Sequence, residues 1–395
     1  MSTPLQDVPA LDAGKFPAVD AAIESFIANR QMPGAVFHLE RGGTIHQRAF
    51  GKHSYETDAA ATTVDTVFDA ASLTKVVATT PAVMLLIEQK KISLDAPLIS
   101  YLPECTGGGK EGITIRHLLT HSSGLAAGLS PNPPWRGEAK ALELACAQVV
   151  THPPGTFFRY SDINFILLGL IVQRVGGMPL NEFVSQNIYR PLAMRNTGFL
   201  PLKRMAAERI APTQKLVDRA TQTLHADLAD GEMLRGVVHD PTVRFMGGVG
   251  GSAGMFTTIG DLARYARMVL NGGELDGVRI LSRESVALMS TLQSPRGVDV
   301  RRTAGWDIDS PYARPRGTIF PIGSFGHTGF TGCILWIDPF SKTFYAFLSN
   351  RVYPNDKSNI LELYSRLGTL SAKAVSGFDF GNVAGALPPV APPKP

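Results

Sequence analysis

The stretch FDAASLTKVVATT, residues 68–80, contains the most informative spacing in the chain. Ser72 and Lys75 are three positions apart at the start of an apolar segment. Residues i and i+3 share one face of a helix, so we expect the Lys75 ammonium to reach the Ser72 hydroxyl. Pro81 lies within the same segment and predicts a local distortion. The stretch therefore predicts a helix from Leu73 onward with a serine–lysine pair in its first turn.

This pair has a chemical meaning only if other residues support it. A serine hydroxyl is a weak nucleophile unless a neighbour takes its proton or stabilises its alkoxide, and lysine can do either. Many helices contain S-x-x-K by chance, with the serine as a cap and the lysine in solvent. Tyr160-Ser161-Asp162 provides support, because it stands just before the apolar helix pattern INFILLGLIV. A tyrosine whose pKa is lowered by a nearby lysine can act as a general base.

A third segment, His327-Thr328-Gly329, directly precedes Phe330 and the strand pattern GCILWIDP. A strand edge flanked by glycine lets a substrate approach the backbone closely. A backbone N–H group at such an edge can complete an oxyanion hole. The three segments together predict a nucleophilic serine site.

Composition excludes several classes of protein. The 395 residues predict two or three domains or one large composite unit. Hydrophobic residues make up 44% and charged residues 18%, which favours a large core over disorder. The net charge of +4 is not clustered in basic runs, which argues against nucleic-acid binding. The charge-free stretch Gly317–Ile337 is interrupted by five glycines and Pro321, so no membrane span is expected.

The three cysteines, Cys105, Cys146 and Cys333, are widely separated and lack metal-ligand spacing. We expect free thiols rather than a disulfide framework or a zinc site, and we expect no cofactor. The first residues show no basic region followed by an apolar one, as a signal peptide would. The chain as written is therefore expected to be cytoplasmic, or periplasmic if a signal peptide has been removed.

Patterning along the chain predicts an α/β fold. Strand patterns lie near both ends, including AVFHLERGGTIHQRAFG with a turn at Arg41-Gly42-Gly43, whereas short helical segments fill the middle. We expect an α/β lobe from residues 1–68 and 230–376, with an antiparallel sheet flanked by helices. A mainly helical lobe, 69–229, is inserted in it. The proline-rich tail, 377–395, is expected to be extended and unpacked.

Taken in order, these elements resemble the serine β-lactamase and penicillin-binding protein superfamily. The most similar branch is the class C-like group, which includes family VIII carboxylesterases, D-aminopeptidases and D,D-peptidases. The resemblance runs from about Val19 to Leu367. The blocks that carry it are FDAASLTK, ITIRHLLTHSSGL, PGTFFRYSDINFILLG, GGVGGSAGMFTTIGDLARYARMVLNGG and GHTGFTG.

The resemblance implies a role for each matching residue. Ser72 matches the acylated nucleophile, Lys75 the lysine that assists it, and Tyr160 the tyrosine that exchanges protons with the serine and the leaving group. The N–H groups of Ser72 and Phe330 match the oxyanion pair. His327 stands where class C lactamases carry lysine and several peptidases and esterases carry histidine, beside the substrate-binding positions Thr328 and Gly329.

Asp162 departs from the family pattern, which has asparagine at this place in lactamases and many peptidases. A carboxylate has no N–H group to donate to a substrate amide carbonyl. Asp162 is instead expected to pair with Lys75, keep the lysine charged and leave the base role to Tyr160. This departure weakens the β-lactam interpretation and is neutral for an ester.

A second serine pattern offers an alternative nucleophile. Gly250–Gly254 fits G-x-S-x-G, and chain order permits Ser252, then Asp307 or Asp309, then His327. No hydrophobic strand runs into Ser252, however, so a glycine loop near the cleft is favoured.

Three further patterns are also assigned ordinary roles. His117 and His121 have a zinc-compatible spacing without the expected glutamate. His239-Asp240 fits a turn before proline as well as an acid–base dyad. Trp135 and Trp306 are more consistent with packing than with lining a substrate cleft.

The sequence thus predicts a serine hydrolase that forms an acyl-enzyme on Ser72, with small carboxylic esters as substrates. A D-specific peptidase, a transpeptidase or a weak β-lactamase is the alternative within the class. A non-catalytic penicillin-binding-like sensor or scaffold is the alternative outside it. The expected partner is a small ester or amide, and the oligomeric state stays open.

Overall fold

The computed structural model describes residues 11–215 and 233–389. Its centre is a seven-stranded antiparallel sheet with strands from both ends of the chain. In sheet order the strands are Thr44–Gly51, Gly34–Arg41, Thr343–Ser349, Cys333–Asp338, Phe325–Gly329, Asp307–Asp309 and Arg301–Arg302. The predicted fold class, an antiparallel sheet flanked by helices with a mainly helical region, is confirmed.

The first hairpin forms at the predicted turn. Arg41 pairs with Thr44, and Gly42 and Gly43 between them have φ values of 55° and 82°, which glycine adopts without penalty. Gly34–Arg41 is buried along its whole length because it lies between two strands, whereas Thr44–Gly51 forms an edge and is mostly solvent-accessible.

Helices cover both faces of the sheet. On one face Phe16–Ala28 packs against the last helix, Leu361–Lys373. On the other face Ile259–Leu270 contacts the strands Gly34–Arg41, Thr343–Ser349 and Cys333–Asp338. Thr258 caps this helix by accepting the Asp261 N–H group at 3.4 Å. The Asp261 carboxylate instead accepts from Asn196 and Thr197, so only half of a capping box forms.

The middle of the chain is built around Asp162–Gly176, whose residues from Ile163 to Val172 are all buried. This helix is apolar all round because other helices surround it. In the described part of the chain the remaining α-helices are Thr80–Glu88, Ile115–Leu119, Glu138–Cys146, Leu180–Val184, Pro241–Phe245 and Arg283–Ser290. Short two-stranded pairs join Phe68–Asp69 to Phe256–Thr257, Gln214–Lys215 to Met233–Leu234, and Glu274–Leu275 to Val278–Arg279.

The segment after Ser72 shows the expected distortion in a particular form. Lys75–Thr79 is one turn of π-helix, and the regular helix begins at Thr80 with Pro81 in its first turn. Pro81, which has no N–H group, thus lies at the junction of the two helical segments. Within the described residues, no single helix is long and apolar enough to span a membrane. One strongly bent helix pair, Asp162–Gly176 with Leu180–Tyr189, reaches the length and apolarity of a span by these two criteria alone.

The predicted boundary at 229/230 lies outside the described residues, and the lobe boundaries stay predictions. The expectation of an unpacked tail is wrong for residues 377–389. Phe380 packs edge-to-face on Phe320, and the Leu387 N–H group donates to the Ile322 carbonyl at 2.7 Å. Apolar residues that precede the prolines carry this contact.

The expectation of three free thiols is also wrong. Cys105 and Cys146 form a disulfide across 41 positions, with a Cα–Cα distance of 4.3 Å, and Cys333 is free and buried. The spacing of cysteines carries no information about such a pair, because tertiary packing brings the two segments together. Lys110 Nζ donates to the Gln148 carbonyl at 2.6 Å, which is a second contact between the two segments that the disulfide joins.

We predict that only one thiol reacts with a thiol reagent after denaturation without reductant, and three after reduction. The double variant Cys105→Ser/Cys146→Ser should lose about 2–4 kcal/mol of unfolding free energy, since the closed loop restricts the unfolded chain. Cys333→Ser, which leaves the bond intact, serves as the matched control. Three reactive thiols without reductant would contradict the pairing.

Candidate active site

A cavity of about 620 Å³ opens where the helical region meets the sheet. It brings together the predicted residues Ser72, Tyr160, Asp162, His327 and Phe330. The other lining residues are Ala71, Gln214, His239, Asp240, Pro241, Arg244, Ala253, Asp307, Tyr312, Thr328 and Asp356. Three chain segments far apart in sequence therefore meet in one cleft.

Backbone strain presents Ser72 to this cleft. Ala71, just before it, has a φ of 45°, which is uncommon for a residue other than glycine. The Asp69 carboxylate holds this conformation by accepting the Ala71 N–H group at 2.8 Å. Such strained positions cluster at functional sites, where the surrounding structure maintains them. Ser72 itself is partly exposed and can meet a substrate.

Lys75 is fully buried and surrounded by acceptors. Its ammonium donates to Ser72 Oγ at 3.0 Å, to the Ser252 carbonyl at 2.8 Å, and to Asp162 Oδ1 at 2.7 Å. Burial lowers the pKa of Lys75, but Asp162 and the Tyr160 hydroxyl outweigh burial and raise the pKa above its usual value. The expected pairing of Lys75 with Asp162 is confirmed, and the lysine is an ammonium with its three donors in use.

Tyr160 lies between the lysine and the rings of two histidines. Its ring centroid is 5.0 Å from Lys75 Nζ, 4.4 Å from the His121 ring and 6.0 Å from the His327 ring. The expectation of a lowered pKa is wrong. Burial raises the pKa of Tyr160 by more than the Lys75 ammonium and the hydrogen bonds to Ser72 and Lys75 lower it. The phenol is therefore protonated in most molecules at neutral pH.

His121 packs its ring against the Tyr160 ring, a positioning role that the sequence did not predict. Its Nδ1 accepts the Ser161 N–H group at 3.1 Å and the Asn164 amide at 3.3 Å, and its ring packs on the phenol. His121 is fully buried with a φ of 57°. The zinc interpretation is not supported, because His117 instead accepts the Thr114 N–H group at a helix start. In the sequence, only the block LLTHSSGL, which carries part of the family resemblance, draws attention to His121.

His327 is a neutral imidazole. Burial and the positive charges of Arg302 and Lys75 lower the pKa of His327 well below its usual value. Its Nδ1–H donates to the Thr328 carbonyl at 2.8 Å, so Nε2 carries a lone pair. Nε2 is buried and has no hydrogen-bond partner among the described residues. The histidine offers the cleft an acceptor, not a cation.

The end of strand Phe325–Gly329 is held against the nucleophile segment. Thr331 Oγ1 donates to the Asp69 carbonyl at 2.7 Å. A Cβ on Gly329 would lie 2.4 Å from the Ala70 carbonyl oxygen, so only glycine permits this approach. No acceptor for the Ser72 or Phe330 N–H group is found in the described part of the chain. Both donors can therefore serve a substrate oxyanion.

We predict that Gly329→Ala lowers kcat by about 10²–10³, because the strand end must shift and one oxyanion donor leaves its place. Gly260→Ala is the matched control, since a Cβ there meets no atom within 4 Å. Steady-state kinetics with an activated ester, together with melting temperatures, separate this effect from unfolding. A Gly329→Ala enzyme as active as the control would contradict the proposed position of the oxyanion hole.

Sequence reasoning also missed the acidic side of the cleft. Asp240, considered only as part of a dyad with His239, lines the cavity and caps the helix Pro241–Phe245 by accepting the Val243 N–H group at 2.8 Å. Burial and the nearby Asp162 raise the pKa of Asp240 to about 6. Two carboxylates therefore interact across this part of the cleft. No spacing rule joins positions 162 and 240.

The remaining alternatives are resolved by position. Ser252 is 1% exposed and its hydroxyl has no partner in the described residues, while its carbonyl binds Lys75. It is therefore poorly placed to attack a substrate. Trp135 and Trp306 are buried in packing contacts with Phe245 and Phe325, in agreement with their predicted packing role.

Comparison with known proteins identifies the family of the chain. The family model described as Beta-lactamase matches residues 19–368. A protein of Escherichia coli (strain K12) named D-alanyl-D-alanine carboxypeptidase is 32% identical over 322 residues, covering 76% of this chain and 74% of that protein. A protein of Salmonella typhi with the same name is 31% identical over 306 residues, covering 73% and 70%.

Solved structures share the fold at low identity. EstCE1, described as a hydrolase with promiscuous acyltransferase activity, has a TM-score of 0.70 at 21% identity and covers 91% of this chain and 98% of its own. A penicillin-binding protein homologue from Caulobacter crescentus has a TM-score of 0.71 at 19% identity, covering 93% and 100%. The chain belongs to the Beta-lactamase family and is a serine hydrolase of the β-lactamase and penicillin-binding protein superfamily.

Proposed function

We propose that the protein is a carboxylesterase that hydrolyses short-chain esters through an acyl-enzyme on Ser72. The observation that carries the proposal is the Lys75–Asp162 ion pair at 2.7 Å. It places a carboxylate where the lactamases and many peptidases of the superfamily have an amide that donates to the substrate.

In the proposed acylation, Lys75 does not accept the serine proton, because an ammonium has no lone pair. It stabilises the negative charge that develops on Ser72 Oγ. The phenolate form of Tyr160 takes the Ser72 proton as Oγ bonds to the ester carbonyl carbon. The oxyanion formed there accepts from the N–H groups of Ser72 and Phe330. As the ester C–O bond breaks, Tyr160 returns the proton to the leaving alkoxide.

Deacylation runs through the same groups in reverse order. Water gives a proton to the Tyr160 phenolate and bonds to the acyl carbon. The bond between that carbon and Ser72 Oγ then breaks, and Tyr160 protonates Oγ. The net change is one ester and one water converted to an acid and an alcohol.

Esters suit this site better than amides for two reasons. Asp162 and the neutral His327 supply no donor or cation for a carboxylate-bearing amide substrate. An alcohol or phenol also leaves with less help from a general acid than an amine does. The alternative, a D-specific peptidase or transpeptidase, is favoured by the names of the curated relatives.

A panel of rates separates these candidates. We expect kcat/KM for 4-nitrophenyl butyrate to exceed by at least about 10²-fold the values for a D-Ala-D-Ala peptide and for nitrocefin. Asp162→Asn should raise amide or lactam turnover relative to ester turnover. Equal or faster turnover of the peptide or the lactam would reject the esterase assignment, and an unchanged ratio would remove Asp162 as its cause.

We also predict an alkaline pH profile. The active base is deprotonated Tyr160 with a raised pKa, so kcat/KM should rise with pH through the alkaline range. Asp162→Asn removes a charge that raises the pKa of both Tyr160 and Lys75, so the rising limb should move to lower pH. Asp276→Asn, which removes a surface carboxylate paired with Arg264, should not move it. A limb that stays in place would contradict the role of Tyr160.

A further inference from the structure

The charge that lines the cleft is predominantly negative. Among the described residues, four carboxylates line the cavity against one guanidinium, that of Arg244. Asp307 is ion-paired with the buried Arg302. The other three lining carboxylates are those of Asp162, Asp240 and Asp356. Of these, Asp162 gives one oxygen to Lys75 and is 35% exposed, so its other oxygen can face a ligand.

Asp162 and Asp240 are a pair of carboxylates on the same cavity whose repulsion is only partly offset. Both side chains line the cavity, and Asp162 raises the pKa of Asp240, an effect that Lys75 and Arg244 offset only in part. Asp240 gives one oxygen to the Val243 N–H group. A cation between two carboxylates lowers their mutual repulsion and gains attraction from both. This part of the cleft therefore favours a positively charged group.

The opposite preference, for a substrate carboxylate, has little support from the side chains present. Arg244 Nη1 donates to the carbonyls of Val238 and His239 at 2.7 and 3.0 Å, and its charge lies beside Asp240 and Asp69. Lys75 is fully buried with its donors occupied.

His327 supplies an independent observation. It is 2% exposed, lines the cleft, and its Nε2 lone pair has no partner among the described residues. A buried acceptor without a partner costs free energy that a donor from a ligand restores. A carboxylate offers no donor, whereas an amine or a hydroxyl does.

We propose that the cleft selects esters that carry a protonated amine, with Asp162 and Asp240 as the anchor for the ammonium, and discriminates against esters that carry a carboxylate. The inference rests on the proposed esterase function and narrows its substrate class. It also separates this chain from a protein that acts on a peptide ending in a free carboxylate.

Three phenyl acetates of similar shape test the proposal: 4-(aminomethyl)phenyl, 4-ethylphenyl and 4-(carboxymethyl)phenyl acetate. We expect kcat/KM for the cationic ester to exceed that for the neutral ester by about tenfold, and the anionic ester to be slowest. Competitive inhibition of 4-nitrophenyl butyrate hydrolysis by benzylammonium, benzyl alcohol and phenylacetate should follow the same order. This second arm is independent of which side of the ester carries the charge.

Asp240→Asn is the decisive variant, because asparagine retains the helix cap. We expect the cationic-to-neutral ratio of kcat/KM to fall at least about fivefold, whereas Asp276→Asn should leave that ratio unchanged. Equal turnover of the three esters, or an unchanged ratio in Asp240→Asn, would overturn the inference while leaving the esterase proposal intact. If no ester is hydrolysed, the esterase proposal fails, and binding of benzylammonium and phenylacetate followed by calorimetry still decides the charge preference.

Discussion

Ser72→Ala is expected to lower kcat/KM for 4-nitrophenyl butyrate by about 10⁴-fold or more, the scale seen when a serine hydrolase loses its nucleophile. Ser72 is partly exposed in the cleft, within 3.0 Å of the Lys75 ammonium. Alanine is smaller than serine and replaces it without a clash, so the fold should persist. Steady-state kinetics with a matched melting curve provide the measurement.

The comparison variant is Ser252→Ala, at the serine of the competing G-x-S-x-G pattern. Only the main-chain carbonyl of Ser252 contacts Lys75, and its hydroxyl is buried without a partner in the described residues. We expect a loss of less than about tenfold, because the nucleophile and its lysine remain. A large loss of activity in Ser252→Ala with a small loss in Ser72→Ala would identify Ser252 as the nucleophile.

Tyr160→Phe is expected to lower kcat by about 10²–10⁴, the range for loss of a general acid–base. Phenylalanine keeps the ring that packs on His121 at 4.4 Å, so the effect isolates the hydroxyl. The rise of kcat/KM at alkaline pH should disappear with it. The pH profile and the melting temperature of both enzymes are measured in parallel.

Near-full turnover by Tyr160→Phe would remove the tyrosine from the mechanism. The base would then be Lys75 or His327. A retained alkaline limb with a reduced rate would assign that limb to another group, with Lys75 as the candidate because its pKa is raised.

Local patterns predicted the elements that local forces determine. The turn at Gly42-Gly43 depends on neighbours in sequence and forms as expected. The helix Ile259–Leu270 likewise begins at a local signal, the Thr258 cap. The Ser72–Lys75 contact follows from one helical turn. Convergence of Tyr160 on this pair was not derivable from spacing and came only from the resemblance.

Properties set by tertiary surroundings were predicted poorly. The sign of the Tyr160 pKa shift depends on how much burial opposes Lys75, which no motif reveals. The Cys105–Cys146 bond depends on two segments that meet only in the folded chain. Asp240 lines the cleft but belongs to none of the motifs. Its charge matters because Asp162 lines the same cleft and raises the pKa of Asp240.

The most direct test of the central claim is the site of covalent attachment. The protein is treated with a fluorophosphonate, digested and analysed by mass spectrometry, with Ser72→Ala and Ser252→Ala alongside. We predict one adduct, on Ser72, present in Ser252→Ala and absent from Ser72→Ala. An adduct on Ser252, or labelling that persists in Ser72→Ala, would contradict the account.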